Sequence, residues 1–307
     1  YWFLEKGGWL QEESEIFFAA FVEKLVRNLG QNVKYWITLN EPCVYINASY
    51  IEGTWPPGHQ SLKESRQIFI KLLKAHALSY NVIHRIYKDE GWSFPKVSIA
   101  KNIRPFSPYR KGLTLDFLPC KLRHYYYNEL FIVSLLKGKC IAPGFPRTYL
   151  PVKKSLDFLG LNYYTRAFVQ YLSISPNKIF GSECSRNDHE IKRNYLNWEI
   201  YPEGLYKVLI ECSVYRLPIL ITENGICTDD DSERGDFIKE HIKNIARAIE
   251  KKVEVLGYLY WSLMDNFEWA EGYNPRFGLV GIDYAKQERS IRPSAEMYAK
   301  IIKENAI

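Results

Sequence analysis

The sequence predicts an α/β fold in which parallel strands alternate with helical crossovers. Short β-branched apolar runs and longer amphipathic stretches follow one another along the 307 residues. Two of the apolar runs end in a glutamate, so that Glu41 and Glu223 each stand where a strand meets its loop. Enzymes built on parallel strands keep their reactive groups at these carboxyl ends. The pattern therefore predicts five parallel strands with a glutamate at the carboxyl end of two of them.

The amino-terminal half is predicted to contain three helices and two strands. The first helix turns one apolar face inward and stops at Gly30, which is placed as the residue just after the helix. That face consists of Phe18, Phe21, Val22, Leu25 and Leu29. The strand at 35–39 ends before Glu41 and Pro42, since proline cannot continue a paired strand. The remaining elements of this half are a helix at 62–89, a strand at 96–103 and a helix near 113–138.

The carboxyl-terminal half is predicted to contain three further strands and three further helices. The strands are 156–163, the run from Ile219 to Glu223, and 255–262, and the helices are one from Pro202, one at 232–251 and one from Pro293. The segment 172–197, with its Ser-Pro-Asn-Lys and Ser-Arg-Asn-Asp-His stretches, is predicted to be a mobile surface loop. Neither an internal repeat nor a low-complexity linker divides the chain, so a single domain over residues 1–307 is expected.

Composition argues against several classes of function. The net charge is +6, and basic and acidic side chains are interspersed, which disfavours a nucleic-acid surface. The six cysteines show no C-x-x-C spacing and the six histidines form no H-E-x-x-H pair, so we expect reduced thiols, no metal and no cofactor. Neither a run of about 18 apolar residues nor a signal-peptide pattern is present, so we expect a cytoplasmic protein without a membrane partner. Because residue 1 is Tyr, processing or a start inside a longer reading frame stays open.

The surroundings of the two glutamates carry a resemblance to a known family. A single glutamate after a strand is usually a solvated loop residue, but two carboxylates at equivalent strand ends suit the cleavage of a glycosidic bond. Thr38–Pro42 and Ile221–Gly225 closely resemble the acid/base and nucleophile signatures of family 1 glycoside hydrolases. Further matching blocks, in the family's order, are Leu159–Thr165, Trp198–Leu205, Tyr260–Trp269 and Arg276–Leu279.

This resemblance implies an incomplete TIM (β/α)8 barrel. Family 1 enzymes are eight-stranded barrels, and the five strands here resemble strands four to eight, so the first three have no counterpart in this sequence. In the family the absent part supplies a Gln and a His-Trp pair that hold the sugar, and an Arg beside the nucleophile. Five strands leave open edges at 35–39 and 255–262. Such edges favour mobile loops and either a homodimer or a partner chain that completes the barrel.

The resemblance also implies roles for individual residues. Glu223 is the nucleophile of a retaining double displacement and Glu41 is its acid/base, which requires their carboxyl groups to lie about 5–5.5 Å apart. Tyr164 resembles the tyrosine that orients the nucleophile, and Asn40 the residue that binds the sugar 2-hydroxyl. The other expected substrate-binding residues are Asn162, Trp261, Glu268 and Trp269. Packing for Trp261 and turn capping for Asn40 stay open as alternatives.

The sequence is accordingly interpreted as a weak or relaxed-specificity retaining β-glycosidase. Its expected partner is a small-molecule β-glycoside, such as a β-glucoside or a β-galactoside. Two alternatives stay open: a non-catalytic carbohydrate-binding or scaffold protein, and one half of a split glycosidase.

Overall fold

The computed structural model describes residues 2–110, 112, 114–174, 179–184 and 191–307. Helices and strands are both distributed along the whole of this part of the chain. Its helices are α1 (Trp2–Glu5), α2 (Ser14–Leu29), α3 (Pro42–Ile46), α4 (Leu62–Asp89), α5 (Phe117–Arg123), α6 (Leu130–Lys137), α7 (Pro202–Cys212), α8 (Asp231–Glu250) and α9 (Pro293–Glu304). Its strands are β1 (Tyr35–Asn40), β2 (Lys96–Asn102), β3 (Phe106–Pro108), β4 (Lys139–Cys140), β5 (Thr148–Tyr149), β6 (Leu159–Asn162), β7 (Ala167–Gln170), β8 (Ser182–Cys184), β9 (Ile219–Asn224), β10 (Val255–Tyr260), β11 (Val280–Asp283) and β12 (Glu288–Ile291).

Five of these strands form the predicted parallel sheet, in the order β1-β2-β6-β9-β10. The pairs β1–β2 and β9–β10 are parallel, and helices lie between successive strands in the sequence. The prediction of an incomplete (β/α) barrel of five strands is therefore confirmed. Among the helices described, none is both long and apolar enough to cross a membrane.

The helices begin where the sequence provides an amino-terminal signal. The Ser61 hydroxyl accepts the backbone N–H of Glu64 at the start of α4, and the Asp230 carboxylate accepts two backbone N–H groups at the start of α8. Pro202 and Pro293 occupy the first positions of α7 and α9, where a missing N–H costs nothing. Local chemistry thus explains why these four boundaries lie within one residue of their predicted positions.

The chain divides into two compact units. The first unit runs to Asn102 and continues from Tyr125 to Gly160, and the second unit contains Ile103–His124 and Leu161–Ile307. The division crosses β6, which gives two residues to each unit. A single domain over residues 1–307 stays a prediction.

The core of the first unit lies between α2, α4 and the sheet. It is formed by Val22, Val26, Ile83, Ile86, Tyr87 and Val97. Two predicted members of the α2 face do not join it, because Phe21 is 60% exposed and Leu29 is 52% exposed. Phe21 lies about 100° around the helix from Val22, and Leu29 is the last residue of α2.

The role predicted for Gly30 at the end of the same helix is also wrong in one detail. The helix does end at Leu29, but Gly30 keeps a right-handed backbone with φ −58° and leads into a short turn, so it is not a left-handed stop. The glycine serves packing instead, because a Cβ at this position would lie 2.5 Å from the Trp92 ring.

The strand β6 is shorter than the predicted 156–163, because a side chain replaces part of the backbone pairing. The Asp157 carboxylate accepts the N–H of Val97 at 2.8 Å and the hydroxyl of Tyr80 at 2.8 Å. The Asp157 N–H still donates to the Val97 carbonyl, so the chain is anchored two residues before β6 starts. The strand β10 likewise ends at Tyr260 instead of residue 262, since the Ser262 N–H donates to Phe277 outside the sheet.

The second unit adds small sheets that were not predicted. The strands β3, β7 and β8 form a three-stranded sheet, and β11 and β12 form an antiparallel hairpin. Strands of three or four residues are too short to show an alternating pattern. Ser182–Cys184 falls within the predicted surface loop at 172–197 but pairs with β7, and residues 175–178 and 185–190 of that loop lie outside the described part.

Candidate active site

Glu41 directly follows β1 at an irregularity in the strand pairing. Ile37 pairs with Ser98 and the next pair is Asn40 with Ala100, so three steps along β1 oppose two steps along β2. An extra residue of this kind bends a strand and re-aims the side chains that follow. Asn40 is consequently exposed and Glu41 half-buried at the carboxyl end of the strand.

The backbone of Glu41 is left-handed, with φ 48° and ψ 52°. A non-glycine residue in this region costs about 1 kcal/mol or more and persists where its surroundings hold it. Here the Glu41 N–H donates to the Ala100 carbonyl at 2.7 Å, and Pro42 starts α3 immediately afterwards. The strand pairing on one side and the helix on the other therefore hold Glu41 in a conformation typical of functional sites.

The Glu41 carboxyl group contacts an amide that sequence analysis did not single out. Asn102, the last residue of β2, donates from Nδ2 to Glu41 Oε1 at 3.1 Å. The Tyr127 hydroxyl donates to Asn102 Oδ1 at 3.0 Å. Lys101 is fully buried behind them, with Nζ 4.4 Å from the centre of the Tyr127 ring and 2.6 Å from the Asn102 carbonyl oxygen.

A neutral histidine ties the middle of β1 to α4. His76 is fully buried, and burial lowers its pKa to about 4. Its Nε2 donates to the Ser155 carbonyl at 2.6 Å, which leaves Nδ1 to accept the Thr38 hydroxyl at 2.6 Å. The strand that carries Asn40 and Glu41 is thus fixed from behind by an uncharged hydrogen-bonded pair.

In the second unit, Glu223 lies near the end of β9 and contacts Tyr164. The Tyr164 hydroxyl donates to Glu223 Oε2 at 2.7 Å, and both side chains are half-buried. The Tyr163 N–H donates to the Glu223 carbonyl at 2.9 Å. The structure therefore brings together the predicted nucleophile and the tyrosine predicted to orient it.

Aromatic packing and an ion pair hold Tyr164 from its other side. The Tyr164 ring packs edge-on against Trp198, with ring centroids 5.5 Å apart. The residue after Trp198, Glu199, is 7% exposed and forms a two-point ion pair with Arg166, at 2.6 and 2.8 Å. The Arg166 guanidinium also lies 4.2 Å from the Tyr201 ring centroid. The ion pair therefore fixes the segment that carries Trp198, and Trp198 packs against Tyr164, which bonds Glu223.

Two buried asparagines organise the ends of β6 and β9. Asn162 is fully buried and accepts the Thr222 hydroxyl at 2.6 Å, so the structure places it beneath the surface. Asn224 donates to the Tyr163 carbonyl at 2.7 Å and accepts the Tyr258 hydroxyl at 2.9 Å. A contact between Asn162 and substrate stays a prediction.

Trp261 follows β10 and lies against the backbone just beyond Glu223. Its N–H donates to the Asn224 carbonyl at 2.9 Å, and the peptide bond between Trp261 and Ser262 is cis. A Cβ on Gly225 would overlap the Trp261 carbonyl oxygen, so only glycine allows this approach. Trp261, which is predicted to bind the sugar, and the predicted nucleophile Glu223 therefore lie at the ends of adjoining strands.

Glu268 and Trp269 stand on the loop that follows, where Glu268 is half-buried and Trp269 is 64% exposed. The loop is anchored by the buried carboxylate of Asp265. This carboxylate accepts the Gly278 N–H at 2.8 Å and two guanidinium bonds from Arg292, at 3.0 and 3.1 Å. Burial by itself raises the pKa of Asp265, but the bonds from Arg292 and Gly278 outweigh it and lower the pKa below its usual range.

The two units thus hold separate parts of the predicted site. The first unit contains Asn40 and Glu41, and the second contains Glu223 and the remaining predicted site residues. The separation of about 5–5.5 Å between the two carboxyl groups stays a prediction. The sequence pattern does not identify Asn102, Tyr127 and Asp265, whose partners are recognisable only in the folded chain.

Comparison with known proteins places these features in a family context. The family model described as Glycosyl hydrolase family 1 matches residues 2–307. A 1,4-beta-D-glucan glucohydrolase of Thermotoga neapolitana is 35% identical, over 98% of this chain and 71% of that protein. A beta-galactosidase of Saccharolobus solfataricus is 31% identical, over 99% of this chain and 62% of that protein.

Solved structures show the same relationship. A beta-glycosidase from Pyrococcus horikoshii aligns with a TM-score of 0.89 at 37% identity, over 98% of this chain and 68% of that chain. A beta-glucosidase from Thermotoga maritima in complex with glucoimidazole aligns with a TM-score of 0.87 at 33% identity, over 99% of this chain and 71% of that chain. The similarity therefore extends along nearly all of this sequence.

Proposed function

Because the chain belongs to glycosyl hydrolase family 1 and is a glycoside hydrolase, we propose that it cleaves β-glycosides with retention of configuration at the anomeric carbon. The observation that carries the proposal is the 2.7 Å hydrogen bond from Tyr164 to Glu223 at the end of β9. A hydroxyl that donates to a half-buried carboxylate favours its ionised form and fixes the direction of its free electron pairs. Glu223 is accordingly assigned as the nucleophile.

The proposed reaction has two displacements. In the first, Glu223 attacks the anomeric carbon while protonated Glu41 gives its proton to the departing oxygen. The bond to the aglycone breaks and a covalent glycosyl–enzyme forms. In the second, Glu41, now a carboxylate, removes a proton from water, which attacks the same carbon and releases Glu223. No cofactor is required, because every proton is transferred between Glu41, the leaving group and water.

The proposed substrates are β-glucosides and β-galactosides. Relatives of both names match nearly the whole chain, including a beta-glucosidase A of Thermotoga maritima at 34% identity and a beta-galactosidase of Pyrococcus woesei at 29% identity. Asn40, Asn162, Trp261, Glu268 and Trp269 are assigned to sugar binding. We expect weak turnover and relaxed specificity, because the Gln and the His-Trp pair that hold the sugar in the family have no counterpart in this sequence. Sugar contacts that strengthen at the transition state determine both rate and selectivity.

The proposed assembly involves the outer strands of the sheet. Tyr35 and Ile37 on β1, and Leu256 and Leu259 on β10, are exposed apolar side chains on outer strands. Outer strands with apolar side chains favour pairing with another chain. Self-association into a homodimer, or completion of the barrel by a partner chain, is the expected consequence.

Hydrolysis of aryl β-glucosides and β-galactosides by the purified chain tests this proposal. Glu223→Ala is expected to abolish turnover, by about 10⁴-fold or more, since no covalent intermediate can form. Glu41→Ala is expected to slow the release of poor leaving groups most strongly. Glu203→Ala, on the exposed start of α7, is the matched control and should leave the rate unchanged.

Two further readings separate the alternatives. The first sugar anomer released, followed by NMR, should be β for a retaining enzyme. Sugar binding without turnover in all four proteins would identify a carbohydrate-binding or scaffold protein instead. Turnover that appears only after a second polypeptide is added would identify one half of a split glycosidase.

A further inference from the structure

We propose that Asn102 and Tyr127 are positioning residues that determine which oxygen of Glu41 carries the transferable proton. The proposal rests on the proposed function, in which Glu41 is the acid/base. It concerns two residues of the first unit that lie outside the family signatures around Glu41 and Glu223. Its basis is the direction of two consecutive hydrogen bonds.

The two hydrogen bonds run in the same direction, from Tyr127 to Asn102 and from Asn102 to Glu41. Tyr127 donates its hydroxyl to Asn102 Oδ1 at 3.0 Å, and Asn102 donates from Nδ2 to Glu41 Oε1 at 3.1 Å. An ionised carboxylate only accepts hydrogen bonds, so the amide must turn its NH₂ group toward Glu41. The amide oxygen then faces Tyr127, whose hydroxyl is the donor that this orientation needs.

Lys101 strengthens the hydrogen bond that Tyr127 donates to Asn102. Its ammonium group lies 4.4 Å from the centre of the Tyr127 ring and 2.6 Å from the backbone oxygen of Asn102. A cation near an aromatic ring withdraws electron density from it, which makes the phenolic O–H a better donor. One buried side chain therefore holds both the tyrosine and the backbone of the asparagine.

The chain of bonds distinguishes the two oxygens of Glu41. When Glu41 is protonated, the oxygen that accepts the amide N–H is the carbonyl oxygen, because a carbonyl oxygen is the better acceptor of the two. Oε1 is therefore the carbonyl oxygen and Oε2 carries the proton. When Glu41 becomes the base, the same N–H stabilises its carboxylate. A single amide orientation thus serves both steps of the reaction.

The fold explains why these residues meet. Asn102 ends β2, the neighbour of β1 in the sheet, so its side chain stands beside the residue that follows β1. Tyr127 lies in the helical segment His124–Glu129, between α5 and α6. Its neighbour Tyr126 donates its hydroxyl to the Pro143 carbonyl at 2.9 Å instead. This difference between adjacent tyrosines provides a matched control.

The test compares two substrates of one sugar. One has a dinitrophenyl leaving group, which needs no proton, and the other has an alkyl or phenyl leaving group, which does. Tyr127→Phe is expected to lower kcat/KM about tenfold for the poor leaving group and to change it little for the dinitrophenyl group, because one hydrogen bond is lost. Tyr126→Phe should leave both rates unchanged.

Asn102→Asp provides a second, independent variant. It replaces the N–H donor by a carboxylate, which cannot donate to Glu41, so kcat/KM should fall about tenfold or more for the poor leaving group and change little for the dinitrophenyl group. A uniform loss on both substrates would show that Asn102 and Tyr127 are merely structural and would overturn the proposal. Circular dichroism of each variant identifies loss of fold.

A measurement without substrate separates this inference from the proposed function. In the ¹⁵N-labelled protein, the side-chain amide of Asn102 is assigned by its disappearance in Asn102→Asp. Its hydrogen exchange should be slow, and Tyr127→Phe should accelerate it about tenfold while Tyr126→Phe does not. Equal exchange in all three proteins overturns the orientation mechanism even if the enzyme is active. If the Asn102 amide exchanges slowly but Glu223→Ala leaves the rate of hydrolysis unchanged, the proposed function alone is refuted.

Discussion

Glu223 and Glu41 are held by different chemistry. Glu223 accepts a phenolic hydroxyl at 2.7 Å, whereas Glu41 accepts an amide N–H at 3.1 Å and has a left-handed backbone. The Tyr164 hydroxyl fixes the orientation of the Glu223 carboxylate, and the Asn102 amide makes Oε1 of Glu41 the acceptor of its N–H. The hydrogen-bond partners therefore fit the separate roles proposed for the two carboxylates.

Tyr164→Phe tests the first of these roles. Removal of a hydrogen bond to an ionised group is expected to lower kcat by roughly 10- to 100-fold, because that bond contributes about 1.5–3 kcal/mol. Its neighbour Tyr163 donates to the Tyr201 carbonyl and is fully buried, so Tyr163→Phe should reduce stability by about 1 kcal/mol with little change in kcat. Steady-state kinetics and urea unfolding distinguish the two, and equal kinetic effects would contradict the orienting role of Tyr164.

At the scale of elements, a buried carboxylate connects the loop after β10 to distant parts of the chain. Asp265 accepts bonds from Arg292, Arg276 and two backbone N–H groups, and its side chain is 1% exposed. These bonds bring the segment after β10 alongside the segment that leads into β11. The position of Glu268 and Trp269 therefore depends on an ion pair distant in sequence as well as on the hydrogen bonds of their own loop.

Asp265→Asn is expected to destabilise the protein in a pH-dependent way. Because the folded pKa of Asp265 is lowered, its contribution to stability is fully present above about pH 3.9, the unfolded value, and is lost as the pH falls through the folded value. At pH 7 the substitution should cost roughly 3 kcal/mol, since Arg292 loses its charged partner. Urea unfolding at pH 7 and near pH 3 measures the difference between wild type and variant, which should shrink in acid. A difference that is independent of pH would contradict this account.

At the scale of the whole molecule, the outer strands distinguish this chain from a closed barrel. In the sheet order of the described residues, β1 and β10 are the outer strands. A closed barrel has no such strands, and the relatives are longer than this chain, which spans 71% of the Thermotoga neapolitana protein. The association proposed above would use the apolar side chains on these outer strands.

Leu259→Lys tests association through β10. Leu259 is 52% exposed, and lysine on an outer strand opposes strand pairing because its charge would have to be desolvated. We expect association of the variant to be weaker by about tenfold or more, measured by sedimentation velocity over a concentration series. Ile302→Lys, on an exposed position of α9, is the control. Equal association of both variants and wild type would rule out β10 as the interface.

Local signals explain which parts of the fold and site were predictable. The five strands, the start of α4 at Leu62 and the proline-initiated helices follow from periodicity and capping within a few residues. Glu41 and Glu223 are recognisable because each directly follows an apolar run. The small sheet of β3, β7 and β8 was not predictable, because its strands gain their stability from one another.

The sequence by itself determined the α/β class, the strand positions, the family and the two glutamates at strand ends. Each of these depends on neighbouring residues or on motifs that are continuous in the chain. Only the tertiary structure decided which side chains form hydrogen bonds with Glu41 and with Asp265 in the loop after β10. Asn102 lies 61 residues from Glu41 and Arg292 lies 27 residues from Asp265, so their hydrogen bonds exist only once strands and helices have packed. The bonds are directional and act over about 3 Å, and a sequence pattern does not encode such distances.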